Sequence, residues 1–253
     1  MSTSIVLIHG GATNARHWDL VTDRLEHRAL AVNLPGRLDR PADPATVTME
    51  DAVASVVDDI DAAGFRSVVL VAHSSGGLVI PGLAQALGSR VAHIVFCSAS
   101  IPPEGGSGLD CMKPKHRASV EQLRDISRET GRTFTTPADP PDPDKLRDSY
   151  GTTLTDQQLS FVRDPLRWVA DTYNYYFAPA HWSAAKLVDR TYILNLRDRA
   201  VPLKLQQEML ANLPGTKTIA LDTGHIPAVT MPEVFAGILD GIAADAWRRM
   251  GVQ

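Results

Sequence analysis

Short apolar runs alternate along the chain with longer segments of helical periodicity, and this alternation limits the possible folds more than any other feature. Continuous β-branched runs are typical of strands buried on both faces of a parallel sheet. Because helical segments separate the runs, the connections are crossovers, which place helices on both faces of the sheet. Strands are predicted at residues 4–8, 29–34, 67–72, 91–97, 192–196 and 217–221.

The alternation is interrupted after residue 100 and resumes at Arg190. Residues 136–143 are rich in proline and aspartate, and they are predicted to be neither helix nor central strand. We therefore predict an α/β core formed by residues 1–100 and 187–253, with an inserted, mainly helical lid at 101–186. Its sheet is six-stranded and mostly parallel. Helices are predicted at residues 47–63, 76–87, 119–130, 155–162, 165–176, 203–213 and 232–250.

Composition is that of an ordinary globular protein, and the charge argues against a nucleic-acid partner. The net charge is −4, without the basic face that nucleic acid requires. There is no signal-peptide pattern and no apolar stretch of membrane-spanning length, so a cytoplasmic protein without membrane contact is expected. The two cysteines, Cys97 and Cys111, have no metal-ligand spacing. The oligomeric state is left open, with a homodimer as one alternative.

A predicted nucleophile lies in the segment Ala72-His73-Ser74-Ser75-Gly76, between a buried strand and a helix. A serine at such a turn needs small residues two positions before and after it, and alanine and glycine meet that requirement. The turn exposes the Ser74 hydroxyl at the carboxyl edge of the sheet. It also directs the amide of Ser75 at a bound carbonyl, as one oxyanion donor. The alternative is a turn that only caps the helix.

The second oxyanion donor is expected in His9-Gly10-Gly11-Ala12, directly after the first strand. In a fold of this kind that loop lies beside the serine turn, and its backbone contributes an amide. Glycine permits close approach of the backbone to a ligand, so Gly11 is the predicted donor and Ala12 the next candidate. His9 is interpreted as a structural residue that holds the loop.

His225 is the predicted general base, because among eight histidines it alone follows the last strand. The chain order serine, acid, histidine then places the acid after the preceding strand, where Asp198 stands. A carboxylate at that position accepts from the histidine Nδ1 and fixes the tautomer. Asp222, three residues before His225, is the alternative acid.

These features resemble the α/β-hydrolase superfamily, in particular its six-stranded methylesterase and hydroxynitrile lyase branch. The resemblance implies ester or lactone hydrolysis through an acyl-enzyme, with no cofactor. The hydroxynitrile lyases carry a lysine directly after the catalytic histidine, whereas Ile226 stands here, which argues against lyase activity. The matching elements are Val6-Leu7-Ile8-His9-Gly10-Gly11, Trp18, Ala31-Val32-Asn33-Leu34-Pro35-Gly36, Gly76-Gly77, Asp198, Val201-Pro202, Gln206, His225 and Pro232.

Aromatic residues cluster at the end of the predicted lid and indicate a partly apolar pocket for an aromatic or alkyl group. They also fit a purely structural role, in which they hold the lid on the core. The residues assigned to substrate binding are Ala12, His73, Tyr175, Tyr176 and Trp182.

Three functions are compatible with these patterns. The first is a carboxylester or lactone hydrolase using Ser74, His225 and Asp198. The second is a lyase, cyclase or cofactor-free oxygenase that uses the His225–Asp198 pair as a base. The third is a small-molecule receptor, against which a complete triad argues. Fold alone does not decide among reactions.

Overall fold

A computed structural model describes residues 3–151, 154–249 and 251. Within these residues one parallel sheet has six strands in the order β2-β1-β3-β4-β5-β6. This arrangement confirms the predicted sheet. The strands are β1 (Ser4–Ile8), β2 (Ala29–Val32), β3 (Val68–His73), β4 (Val91–Cys97), β5 (Arg190–Asn195) and β6 (Lys217–Leu221).

Helices cover both faces of this sheet. Residues of β1 alternate between the faces, as the two-residue period of a strand requires. The α-helices are α1 (Asp19–Thr22), α2 (Met49–Ala62), α3 (Ile80–Leu87), α4 (Pro114–Thr130), α5 (Pro143–Tyr150), α6 (Asp156–Arg163), α7 (Leu203–Ala211), α8 (Pro227–Thr230) and α9 (Pro232–Arg249). Val6 and Ile8 belong to the core cluster that also holds residues of α2, α3 and α7, whereas Ile5 and Leu7 belong to the cluster with α1, α8 and α9.

The inserted segment between β4 and β5 carries α4, α5 and α6. A third apolar cluster joins it to the core: Leu146 of α5 and Val162 of α6 pack with Ile226 and Val229, which follow β6. The insertion therefore contacts the carboxyl edge of the sheet, where the candidate site lies.

Two sequence predictions in the insertion are wrong. Residues 165–176 form no α-helix, but only 3-10 turns at Pro165–Arg167 and Asn174–Tyr176. Between these turns the backbone pairs with distant segments, in antiparallel bridges of Thr13 with Trp168 and of Thr135 with Thr172.

The other error is α5, which was not predicted. It begins at Pro143 inside the predicted loop, because proline is tolerated in a first helical turn and Asp142 caps that turn by accepting from the Asp144 amide. The predicted end of the last helix, Met250, lies outside the described residues. No helix among the described residues is long and apolar enough to cross a membrane.

Candidate active site

The turn at Ser74 has the backbone geometry expected of a nucleophile. Strand β3 ends at His73, and Ser74 adopts a φ of +52°, a left-handed conformation that is uncommon for residues other than glycine. A Cβ added to Gly76 would come within 2.6 Å of the His9 carbonyl oxygen. One added to Gly77 would come within 2.3 Å of the Ser100 carbonyl oxygen. Glycine at both positions therefore lets the turn pack against the segments that follow β1 and β4.

The loop after β1, residues 9–13, lies against this turn, and we call it the oxyanion loop. A Cβ added to Gly10 would be 2.9 Å from the Ser74 Cβ. The Gly10 carbonyl accepts from His9 Nδ1 at 2.8 Å and from the Thr13 hydroxyl at 3.1 Å. In a trans peptide the following N–H points opposite to the carbonyl, so these two donors fix the direction of the Gly11 amide.

His225 and Asp198 form a buried hydrogen bond. His225 Nδ1 donates to Asp198 Oδ2 at 2.7 Å, and the two side chains are 8% and 0% exposed. The other carboxylate oxygen of Asp198 accepts from the Val201 amide at 2.9 Å. A carboxylate held in this way fixes the histidine tautomer with Nε2 free to accept a proton.

Asp222, the alternative acid, lies elsewhere. Its carboxylate forms an ion pair with Arg197, and both side chains are 62% exposed. That pair holds the pKa of Asp222 below its ordinary value, chiefly through the hydrogen bond from Arg197. The geometry therefore favours Asp198 over Asp222 as the partner of His225.

The buried side-chain amide of Gln206 supports the loop that carries Asp198. The Gln206 side chain accepts from the Asn195 amide at 3.0 Å and donates to the Asn195 carbonyl at 2.9 Å and the Val201 carbonyl at 2.8 Å. Since Asn195 and Val201 flank Asp198 in sequence, Gln206 holds both ends of its loop.

Two neutral histidines lie beneath His225. His73 Nε2 donates to the His225 carbonyl at 2.8 Å, and the His17 ring stacks on the His73 ring with centroids 4.8 Å apart. Burial lowers the pKa of His17 to about 3 and lowers that of His73 well below its ordinary value, in both cases with a further contribution from His225. Both rings are therefore uncharged at the near-neutral pH at which a histidine can act as a base. They place no positive charge beside His225.

Burial of neutral His17 makes stability depend on pH. The unfolded chain takes up a proton below the ordinary histidine pKa of about 6.5, whereas the folded protein resists it down to a pKa of about 3. Stability is therefore lost as pH falls through this window, by about 1.4 kcal/mol per pH unit. We predict that His17→Phe, which keeps an aromatic ring on His73, removes this part of the slope. Urea unfolding between pH 5.5 and 4 measures it; parallel losses in the variant and the wild type would contradict the prediction.

The residues predicted to bind substrate separate into two groups. Tyr176 lies at the site: a Cβ on Gly11 would be 2.8 Å from its hydroxyl and 3.1 Å from the Ser75 Oγ. Burial raises the pKa of Tyr176 to about 12, so the phenol keeps its proton. Ala12 lies in the oxyanion loop, but its amide donates to Asp171 at 3.2 Å.

The other predicted substrate residues have structural positions. Tyr175 is buried beneath the Arg37 guanidinium, and its hydroxyl donates to the Pro35 carbonyl at 3.4 Å. Trp182 is 0% exposed and donates from Nε1 to the Pro102 carbonyl at 2.8 Å. His73 points beneath His225, as described above. The burial and hydrogen bonds of these three side chains give each of them a packing role, and their part in substrate binding stays a prediction.

Sequence reasoning missed two contributions from the insertion. The carbonyl of Tyr150, the last residue of α5, accepts from the His225 amide at 2.8 Å, and the two rings lie 5.7 Å apart. The next residue, Gly151, packs so closely on the Arg197 carbonyl that a Cβ would come within 1.7 Å of its oxygen. The second contribution is Asp171, which binds the oxyanion loop. Contacts with main-chain groups depend little on residue type, so the sequence gives no indication of them. The glycine at position 151 is the exception, because it fits a close contact with the Arg197 carbonyl.

Comparison with known proteins identifies the family. The family model described as alpha/beta hydrolase matches residues 5–238. The chain belongs to the alpha/beta hydrolase family. This hydrolase is 26% identical to a pyrethroid hydrolase of Sphingobium wenxiniae, over 92% of its own length and 85% of the relative's. It is 25% identical to methylesterase 7 of Arabidopsis thaliana, over 94% and 95% of the two chains.

A solved structure extends the likeness to three dimensions. An extracellular α/β-hydrolase from a Paenibacillus species, described as sharing structural and functional homology with tobacco Salicylic Acid Binding Protein 2, superposes on this hydrolase with a TM-score of 0.78. The pair is 25% identical and covers 95% of this chain and 99% of the other. These likenesses confirm the predicted α/β-hydrolase fold, the methylesterase-like branch and an enzyme of carboxylesterase type.

Proposed function

We propose that this hydrolase cleaves a small carboxylic ester or lactone through an acyl-enzyme on Ser74, with His225 as base and Asp198 as the acid that orients it. The observation that carries the proposal is the buried His225–Asp198 hydrogen bond of 2.7 Å beside the serine turn. The His225 ring lies 4.6 Å from the ring of His73, the residue directly before Ser74. A strained serine and an oriented imidazole at one sheet edge are the parts that nucleophilic acyl transfer needs.

The reaction follows from this arrangement. His225 Nε2 takes the Ser74 proton as the hydroxyl oxygen attacks the ester carbonyl carbon. The carbonyl oxygen becomes negative and accepts from the Gly11 and Ser75 amides. His225 then protonates the leaving alcohol, and an acyl-serine remains. Water, deprotonated by His225, attacks the acyl carbon; the carboxylic acid leaves, and Ser74 regains its proton.

The two proposed oxyanion amides belong to different parts of the chain, and separate contacts orient each of them. The Ser75 amide lies in the first turn of the helical segment Ser74–Val79, where amides have no acceptor within the helix. The Gly11 amide is oriented through the Gly10 carbonyl by His9 and Thr13. Donors fixed before the reaction stabilise the developing charge without reorganisation, and loss of one typically costs about 10²–10³ in rate.

The substrate is proposed to carry an aromatic or alkyl group, with residues 101–186 acting as a lid. The support is the phenol of Tyr176, which brings an aromatic side chain from the insertion to Gly11 and Ser75. The names of the relatives, a pyrethroid hydrolase and a methylesterase, are compatible with such esters. Ile226 is buried in an apolar cluster, so no ammonium group stands where the hydroxynitrile lyases have their lysine.

A fluorophosphonate probe tests the proposal, since it reacts covalently only with an activated serine. The wild type is expected to be labelled, and Ser74→Ala to remain unlabelled. Ser75→Ala is the matched control: it removes the neighbouring hydroxyl but keeps the backbone amide, so labelling persists. An unlabelled wild type, or labelling that survives Ser74→Ala, would overturn the serine mechanism. With intact folding, an unlabelled wild type would favour chemistry in which the His225–Asp198 pair acts alone as a base.

A further inference from the structure

Ala12 in the oxyanion loop has a conformation that needs external support. Its φ is +56°, in the left-handed region that residues with a Cβ seldom adopt. Such conformations persist only where the surrounding structure holds them.

Both backbone polar groups of Ala12 are bound by the insertion. The Val169 amide donates to the Ala12 carbonyl at 3.0 Å, and the Ala12 amide donates to Asp171 Oδ2 at 3.2 Å. Thr13 and Trp168 form an antiparallel bridge at this point. Residues 168–171 therefore run alongside the oxyanion loop and restrain it through these two hydrogen bonds, the first of which is part of the bridge.

The Asp171 carboxylate is itself held in a fixed place. Its side chain is 3% exposed and forms an ion pair with Arg37, Nη2 to Oδ1 at 2.5 Å, while the Arg37 side chain is 2% exposed. Arg37 also donates from Nη1 to the Pro35 carbonyl at 2.8 Å. The Asp171 main chain is bound on both sides by Thr136, whose hydroxyl accepts from the Asp171 amide and whose own amide donates to the Asp171 carbonyl, each at 2.9 Å.

A buried ion pair carries a desolvation cost that its attraction does not necessarily offset, so its place against the oxyanion loop points to a role beyond stability. The peptide between Gly11 and Ala12, which Asp171 binds, adjoins the peptide whose N–H is the proposed oxyanion donor. Displacing Ala12 by even a fraction of an ångström would misdirect that donor, because oxyanion stabilisation depends on fixed geometry.

We propose that Asp171 is a positioning residue that sets the oxyanion loop through the Ala12 amide, so that the loop takes its catalytic shape only when the insertion is docked on the core. This inference rests on the proposed esterase function. It assigns to the insertion a part in rate as well as in substrate choice, and it assigns to Arg37 the role of keeping the carboxylate in place.

Two double variants separate the hydrogen-bond acceptor from the buried charge. Arg37→Met/Asp171→Asn removes both charges but keeps an amide oxygen that can accept from Ala12. Arg37→Met/Asp171→Leu removes the charges and the acceptor while keeping the same number and branching of side-chain heavy atoms at position 171. We expect the asparagine variant to have a kcat at least about tenfold higher than the leucine variant at similar KM, since the lost contact acts on the transition state. Equal kcat values in the two folded variants would overturn the proposal.

Hydrogen exchange gives a readout that does not depend on activity. In the wild type, the Ala12 amide should be protected to the same degree as the Val169 amide, because both are released when the insertion leaves the loop. An Ala12 amide that exchanges as fast as an unstructured peptide would overturn the proposal, even if the leucine variant failed to fold.

Further controls keep the two hypotheses apart. Asp19→Asn removes another ion pair between core and insertion, Arg167–Asp19 at 2.8 Å, without touching Ala12, and it should leave kcat unchanged. A wild type that is unlabelled by fluorophosphonate would mean that the proposed function has failed. A labelled, active wild type with equal kcat in the two double variants would mean that only the role of Asp171 has failed.

Discussion

His225→Ala is expected to lower kcat for an ester such as p-nitrophenyl acetate by about 10⁶-fold, the scale seen when the base of a serine hydrolase is removed. Without the imidazole, nothing accepts the Ser74 proton during attack or returns a proton to the leaving alcohol. The fold should be retained, because the bonds of His225 to Tyr150 and His73 use its main chain, which alanine keeps. Circular dichroism and steady-state kinetics test both statements.

The matched experiment is a double variant. Ser74 and His225 act as a unit, so Ser74→Ala/His225→Ala should be no slower than either single variant. A double variant much slower than both would show that the two residues contribute independently, which contradicts the proton transfer between them.

Asp198→Asn is expected to lower kcat by about 10⁴-fold, because an amide cannot accept a hydrogen bond through its nitrogen and favours the wrong histidine tautomer. The asparagine oxygen can still accept from the Val201 amide, which keeps the loop in place. The readouts are kcat and the thermal midpoint, with a large loss in the first and a small change in the second.

Asp222→Asn is the control for this prediction. It makes the same chemical change in the alternative acid, whose carboxylate pairs with Arg197 at the surface. Exposed ion pairs contribute little, so kcat should change by less than about twofold. If Asp222→Asn abolished turnover and Asp198→Asn did not, the assignment of the acid would be wrong.

The strands were predictable because a strand buried on both faces of a sheet is apolar at nearly every position. The run 67–72 is apolar at nearly every position, and the observed strand is Val68–His73. The predicted helix at 165–176 failed for the opposite reason. Its spacing is compatible with a helix, but its hydrogen bonds go to Ala12 and Thr136, which are remote in sequence.

The same distinction divides the candidate site. Ser74, Asp198 and His225 could be proposed from sequence, because the fold fixes which loops meet at the sheet edge. The Arg37–Asp171 ion pair could not be predicted, because the sequence around each residue gives no indication of a partner so far along the chain. Trp182 was assigned to the pocket because clustered aromatics suit both a pocket and a core, and only its complete burial distinguishes them.

The contacts of the insertion bear on any attempt to redesign this enzyme. Tyr150 and Gly151 contact the loops that carry His225 and Asp198. Val169 and Asp171 form hydrogen bonds with the loop after β1. Grafting a foreign segment between β4 and β5 would therefore remove the contacts that support the loops of the proposed catalytic residues, together with the segment proposed as the lid. A chimera that is meant to change selectivity alone should keep residues 148–151 and 168–171 and exchange only what lies between and around them.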